Sequence, residues 1–155
     1  MTTPYAQATN NPRAREETRK FLLRFGCQSI SFIDDGDDVL LAFEHCGQNF
    51  QIRVSAKEWA AMWLKKNPWN RTRRSTREEW EQKALRQGLN SVNSVLRDWI
   101  RGQLTAIRAG MLSFEVAFMP YTLTANGRTM AERIAELKLL PSDGPKVVQL
   151  PGNAA

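Results

Sequence analysis

Histidine occurs once and cysteine twice in this 155-residue chain. With one imidazole, any Ser-His-Asp or Cys-His site would have to be built on His45, which reads as a strand-end side chain. His45, Cys46 and Cys27 supply three of the four ligands zinc normally takes, and no Cys-x-x-Cys pair is present. Two cysteines make no disulfide framework, so free thiols in a reducing compartment are expected. A P-loop, a G-x-G-x-x-G turn and an H-E-x-x-H helix are all missing. No apolar run approaches the ~20 residues that cross a bilayer. The opening MTTPYAQATNNPRAREE lacks the apolar stretch of a signal peptide. These absences predict a cytoplasmic protein with no membrane contact, no metal and no cofactor, and they favour binding over catalysis.

Surplus charge is also missing from most of the chain. The formal net charge is +6, yet residues 65–108 hold eleven Lys/Arg against four Asp/Glu. The remainder, with eleven basic and twelve acidic residues, is nearly neutral. The block comprises Lys65, Lys66, Arg71, Arg73, Arg74, Arg77, Lys83, Arg86, Arg97, Arg101 and Arg108, with Trp63, Trp69, Trp80 and Trp99 interleaved. Such a concentration points to an anionic partner.

The length fits one domain with one core. Residues 1–11 read as a flexible leader, 12–140 as a single α+β domain, and 141–155 as a flexible Pro/Gly-containing tail. Asn11-Pro12 marks a helix start, with Phe21, Leu22 and Phe25 as its buried stripe and Gly26 as its stop. Arg13, Arg15, Glu16, Glu17, Arg19 and Lys20 are expected to face water. Three strands follow, over 28–34, 39–44 and 49–54, with Gly36 and Gly47 in the connectors, as in an antiparallel meander. Ser55 to Glu58 and Thr76 to Glu79 have capping-box spacing and open two helices. The first ends before Asn67-Pro68; the second runs to about Ala109 unless Gly88 or Gly102 interrupts it. At about 100° per residue, Leu85, Val92, Val95, Leu96, Trp99 and Ile107 share one arc as candidate core. Lys83, Arg86, Arg97, Arg101 and Arg108 form a basic stripe beside it. Residues 113–124 are ambiguous between helix and strand, and Thr129-x-x-Glu132 opens a last helix to about Leu140. The predicted architecture is a three-stranded antiparallel meander covered by the first two helices, with the long basic helix and the C-terminal helix alongside.

Several segments together resemble a family of small phage and prophage proteins of unassigned function. They are Arg24-Phe25-Gly26 closing the first helix, the meander, Arg71–Ser75 (RTRRS), Trp80–Gln87 (WEQKALRQ), Ala106–Tyr121 and Asn126-Gly127-Arg128-Thr129. The resemblance covers roughly residues 15–135. It implies a bacterial or phage cytoplasm and a role near phage DNA metabolism, and it assigns no functional residue.

Phosphate recognition uses several guanidinium or ammonium groups at repeated spacing, and arginine adds bidentate geometry and stacking. The candidate nucleic-acid contacts are therefore Arg71, Arg73, Arg74 and Arg77 in the loop and Lys83, Arg86, Arg97, Arg101 and Arg108 on the helix. Trp69 is placed to stack on a base or to pack beside them. A solvated helix face accounts for the same stripe, and an acidic protein partner would suit it too, as for an inhibitor or adaptor. Trp59, Trp63 and Trp99 read as core. The Asp34–Asp38 cluster around Gly36 reads as a hairpin turn, since an EF-hand needs a twelve-residue register between helices. Helix, three antiparallel strands and helix also open the PD-(D/E)xK nuclease core. Asp38 sits where its Asp would, but Gln51-Ile52-Arg53 replaces Glu-x-Lys, so an anionic ligand is missing.

Overall fold

The computed structural model describes residues 2–140; the tail expected from Pro141 lies outside the described residues. In chain order the elements are α1 (Asn11–Phe25), β1 (Gln28–Asp35), β2 (Asp38–His45), β3 (Gln48–Ser55), α2 (Ala56–Lys66), α3 (Arg77–Arg108), α4 (Phe114–Phe118), a 3-10 turn (Met119–Tyr121) and α5 (Met130–Glu136). The strands form one antiparallel sheet in the order β1-β2-β3, so the α+β meander is as expected. β2 and β3 pair without a break from Asp38↔Ser55 to His45↔Gln48, while β1 is irregular between Gln28 and Ser31.

Local chemistry sets the element ends. The Asn10 side chain accepts from the Arg13 amide at the start of α1, one residue earlier than Asn11-Pro12 alone indicates. Gly26, at φ 106°, closes α1 in a left-handed conformation that a Cβ would disfavour. Ser55 caps α2, and Thr76 and Glu79 form a complete capping box on α3. Thr129 and Glu132 do the same for α5, which stops at Glu136, short of Leu140. The ambiguous segment resolves into α4, the 3-10 turn and two isolated bridges, Phe50↔Thr122 and Leu123↔Thr129.

The central element is α3, where the expected architecture had it alongside. It runs unbroken through Gly88 and Gly102. Its Leu96, Ile100 and Leu104 join Leu22 of α1, Leu41 and Phe43 of β2, Phe50 and Ile52 of β3 and the α4 rings Phe114 and Phe118 in the main core. A second cluster joins Val39, Ala56, Trp59 and Val92. The expected apolar arc is only part of the buried face. Val92 and Leu96 are buried, but Val95 is 38% exposed, and Ser91, Asn93 and Ser94 are buried instead. The reason is two-sided packing, because α1 and α2 both lie along α3. Ser91 and Asn93 are satisfied: Ser91 Oγ donates to the Tyr5 carbonyl at 2.8 Å, Asn93 Nδ2 to the Leu89 carbonyl at 2.7 Å, and Asn93 Oδ1 accepts from Arg15 Nε at 3.0 Å.

One further expectation is corrected. Arg15 and Arg19 do not simply face water: Arg15 bridges Asn93 and Asp34, and Arg19 donates to the Ile30 carbonyl at 2.7 Å. Residues 2–10, within the leader read over residues 1–11, make specific contacts. Thr3 is buried, Trp59 Nε1 donates to the Pro4 carbonyl at 3.0 Å, Gln87 Nε2 donates to the Ala8 carbonyl at 2.9 Å, and the Tyr5 hydroxyl donates to Asp98 at 2.7 Å. This N-terminal strap lies across the middle of α3.

Candidate nucleic-acid interface

The loop between α2 and α3 turns on tryptophan edges. Trp69 Nε1 donates to the Ser75 carbonyl at 2.8 Å, and Trp80 Nε1 donates to the Asn67 carbonyl at 2.8 Å. The half-buried Trp69 thus pins its own loop. Trp80, which sequence reasoning did not single out, is the hub. Its ring lies 5.1 Å from that of Trp63, with the Arg73 guanidinium 4.0 Å and the Lys83 ammonium 5.0 Å from its centroid. Cation–π attraction of this kind holds charge beside a buried ring without neutralising it. Loop and helix cations are thereby gathered at one corner, with Lys65, Lys66, Arg71, Arg74, Arg77 and Arg86 exposed.

The helical stripe is exposed but not continuous. The strap sits between its two ends, with a recess of about 600 Å³ on one side, lined in part by Tyr5, Arg13, Glu17 and Arg97. On the other side a recess of about 500 Å³ is lined in part by Gln7, Trp63, Lys83 and Arg86. Arg97, at the break, is spent internally. Its side chain is 25% exposed and meets Asp98 at 2.9 Å and Glu17 at 3.4 Å. The Arg97 hydrogen bond, with help from the Tyr5 hydroxyl, holds Asp98 below the usual carboxylate range. Beyond the break, Arg101 and Arg108 are joined by Arg24 of α1 around a third recess. The sequence placed Arg24 near the end of α1, but the meeting with α3 depends on how the helices cross.

Ion pairing separates the basic block from the rest. Of its eleven cations, only Arg77 (with Glu81) and Arg97 have a carboxylate within ion-pair distance among the described residues. Outside it, six of the seven arginines do, namely Arg13, Arg15, Arg19, Arg53, Arg128 and Arg133, while Arg24 has none among the described residues. Glu16 pairs with Arg19, and Glu79 is used in the α3 cap.

The other chemistry-bearing groups are engaged structurally. The Asp34–Asp38 hairpin is held by arginine: Asp34 by Arg15, Asp35 and Asp38 by Arg53 at 3.1 and 2.8 Å. Arg53 therefore already supplies the cation at Asp38, where the nuclease comparison would put a metal. His45 packs 4.2 Å from the Phe114 ring, and its Nδ1 is 3.9 Å from Cys27 Sγ. Burial, with nearby Cys46 adding to it, pushes the Cys27 thiol up to about 11, so it stays protonated and unreactive at neutral pH. No group of three or more His, Cys, Asp or Glu positioned to hold a metal occurs among the described residues. Among them, too, no helix is long and apolar enough to cross a membrane.

Fold and surface together define an α+β protein with a tryptophan-centred cationic corner. No family model, no curated protein and no solved structure matches the chain.

Proposed function

We propose that this protein is a non-catalytic nucleic-acid-binding accessory protein. Its main contact would be the corner formed by Arg71, Arg73, Arg74, Arg77, Lys83 and Arg86. The observation that carries the reading is the pairing contrast: of the corner's cations only Arg77 meets a carboxylate among the described residues, while arginines outside the basic block are mostly paired. Free guanidinium groups replace the counterions that a phosphate backbone otherwise condenses. Arg101 and Arg108 would form a second contact that begins about 22 Å further along α3 from Arg86, at Arg101, the axial rise of six to seven base pairs. Arg97 is left out because Glu17 and Asp98 occupy it. On the resemblance noted above, its setting would be a phage or prophage, in the bacterial cytoplasm.

A protein partner is the second reading. Met111, Val116 and Met119 are 74%, 64% and 50% exposed beside α4, and apolar side chains of this kind favour protein contact over phosphate.

Fluorescence anisotropy with labelled single- and double-stranded oligonucleotides at about 50 and 200 mM salt separates the two. Micromolar or tighter binding that falls steeply with salt, and is lost on replacing Arg71, Arg73 and Arg74 together by Ala, supports the corner. Full binding by that folded triple variant sinks the site assignment. No binding at low salt sinks the nucleic-acid reading and leaves an acidic protein surface as the partner to seek.

A further inference from the structure

The second cationic group is built differently from the corner. A recess of about 370 Å³ between α1 and the C-terminal half of α3 is lined by Phe21, Arg24, Arg101, Leu104, Thr105 and Arg108. Three arginines from two helices line this one hollow, and none has a carboxylate within ion-pair distance among the described residues. Asp98, the carboxylate that acts on Arg101 through space, is itself bonded to Arg97 and Tyr5. The Thr105 hydroxyl is committed to the Arg101 carbonyl at 2.7 Å. The apolar side is supplied by Leu104, which is buried, and Phe21, whose ring centroid lies 6.0 Å from the Arg101 guanidinium.

Helix-end electrostatics explain only part of this. Arg24 and Arg108 occupy the last turns of their helices, where a cation complements the dipole. Arg101 is about two turns short of the end of α3, beyond the reach of that effect. Three like charges around one hollow repel one another, and a bound anion relieves the repulsion.

We infer that this recess is a binding site for a phosphomonoester. A terminal phosphate carries about −1.5 to −2 charge at neutral pH, against −1 for a phosphodiester, and it protrudes where a diester is flanked on both sides. Guanidinium forks match its oxygens in bidentate fashion. The volume lies at the lower end of the roughly 300–1,000 Å³ typical of ligand pockets, the range of a small ligand. The Phe21 and Leu104 side chains offer an apolar surface to the sugar or base that follows the phosphate. The same chemistry has two sources, a free mononucleotide or the phosphorylated end of a strand. The strand-end source rests on the nucleic-acid reading; phosphate capture itself does not.

The test is a nuclear magnetic resonance titration of the full chain, following arginine Nε–Hε signals. Inorganic phosphate at millimolar concentration is added first, at constant ionic strength. Adenosine 5′-monophosphate follows, and then two matched single strands bearing a 5′-phosphate or a 5′-hydroxyl. The expected result is saturable shifts of Arg24, Arg101 and Arg108 with phosphate, lost in an Arg101→Gln, Arg108→Gln double variant with an unchanged melting curve. Chloride giving the same shifts, or the double variant still binding phosphate, overturns the site. A 5′-phosphate strand binding about tenfold tighter than its 5′-hydroxyl match assigns the strand end. Equal strand affinities with tighter binding of the mononucleotide assign the free ligand. If neither strand binds while phosphate still titrates the recess, the nucleic-acid reading fails and the phosphomonoester site stands.

Discussion

Gly88 of α3 lies directly against the carbonyl of Ala56 at the start of α2, so that a Cβ at residue 88 would sit 2.6 Å from that oxygen. The missing side chain is what lets α2 lie along α3 and enclose Val39, Trp59 and Val92. Gly102, fourteen residues further along the same helix, would put a Cβ into open space.

These two glycines predict opposite outcomes for the same substitution. Gly102→Ala gains helix propensity and should stabilise the fold by about 0.5–1 kcal/mol. Gly88→Ala gains the same propensity but forces backbone apart, and overpacking at about 1–3 kcal/mol makes the net effect destabilising. Urea denaturation of both variants measures the difference. A Gly88→Ala protein as stable as the parent would show that the α2–α3 contact can yield.

Arg97 and Arg86 share a face of α3 but should behave differently when removed. Arg97→Gln loses contacts to Glu17 and Asp98 and should cost roughly 1 kcal/mol of stability, as for a partly exposed pair. Its nucleic-acid affinity and salt dependence should stay within about twofold of the parent. Arg86→Ala, at an exposed side chain with no carboxylate partner among the described residues, should melt like the parent and lower the salt slope by about 1. Melting curves and salt-dependent anisotropy on both variants decide the matter; the reverse pattern would move the interface to the middle of the helix.

The strap should loosen at alkaline pH. Its hydrogen bond to Asp98 is the leading cause that raises the Tyr5 phenol above its ordinary value of 10.0, followed by burial and the Asp98 charge, with Arg97 opposing. A raised folded-state value means the contribution is fully present below the unfolded value and is lost as pH rises through the folded one. Stability held by the neutral Tyr5–Asp98 bond should therefore decline above about pH 10. Ultraviolet titration of the phenolate, with amide exchange of residues 3–9, follows the process. Tyr5→Phe should remove this alkaline component, and an unchanged profile in that variant would assign it to another group.

Much of the secondary structure was legible because its determinants are local. Ser55, Thr76 and Thr129 announce three helix starts by capping chemistry, and Gly26 announces a stop. The meander followed from strands separated by Gly36 and Gly47. The candidate site was legible as a charge count, but its division was not. Nothing near Arg97 in sequence says that Glu17, on another helix, will meet it, or that Tyr5 will bind Asp98. Nothing near Trp80 in sequence says that Arg73 and Lys83 will both lie on its ring.

Hydrophobic period, capping pairs and turn residues act over a few positions, so they determined the order of the elements and the concentration of charge in residues 65–108. Which cations remain free is a matter of contacts between residues far apart in the chain. Only the packed structure decided that α3 is enclosed on both sides, that polar Ser91 and Asn93 are buried, and that a strap divides the basic stripe. An ion pair or a close backbone approach forms where helices cross, and the crossing is set by the whole core rather than by any one segment.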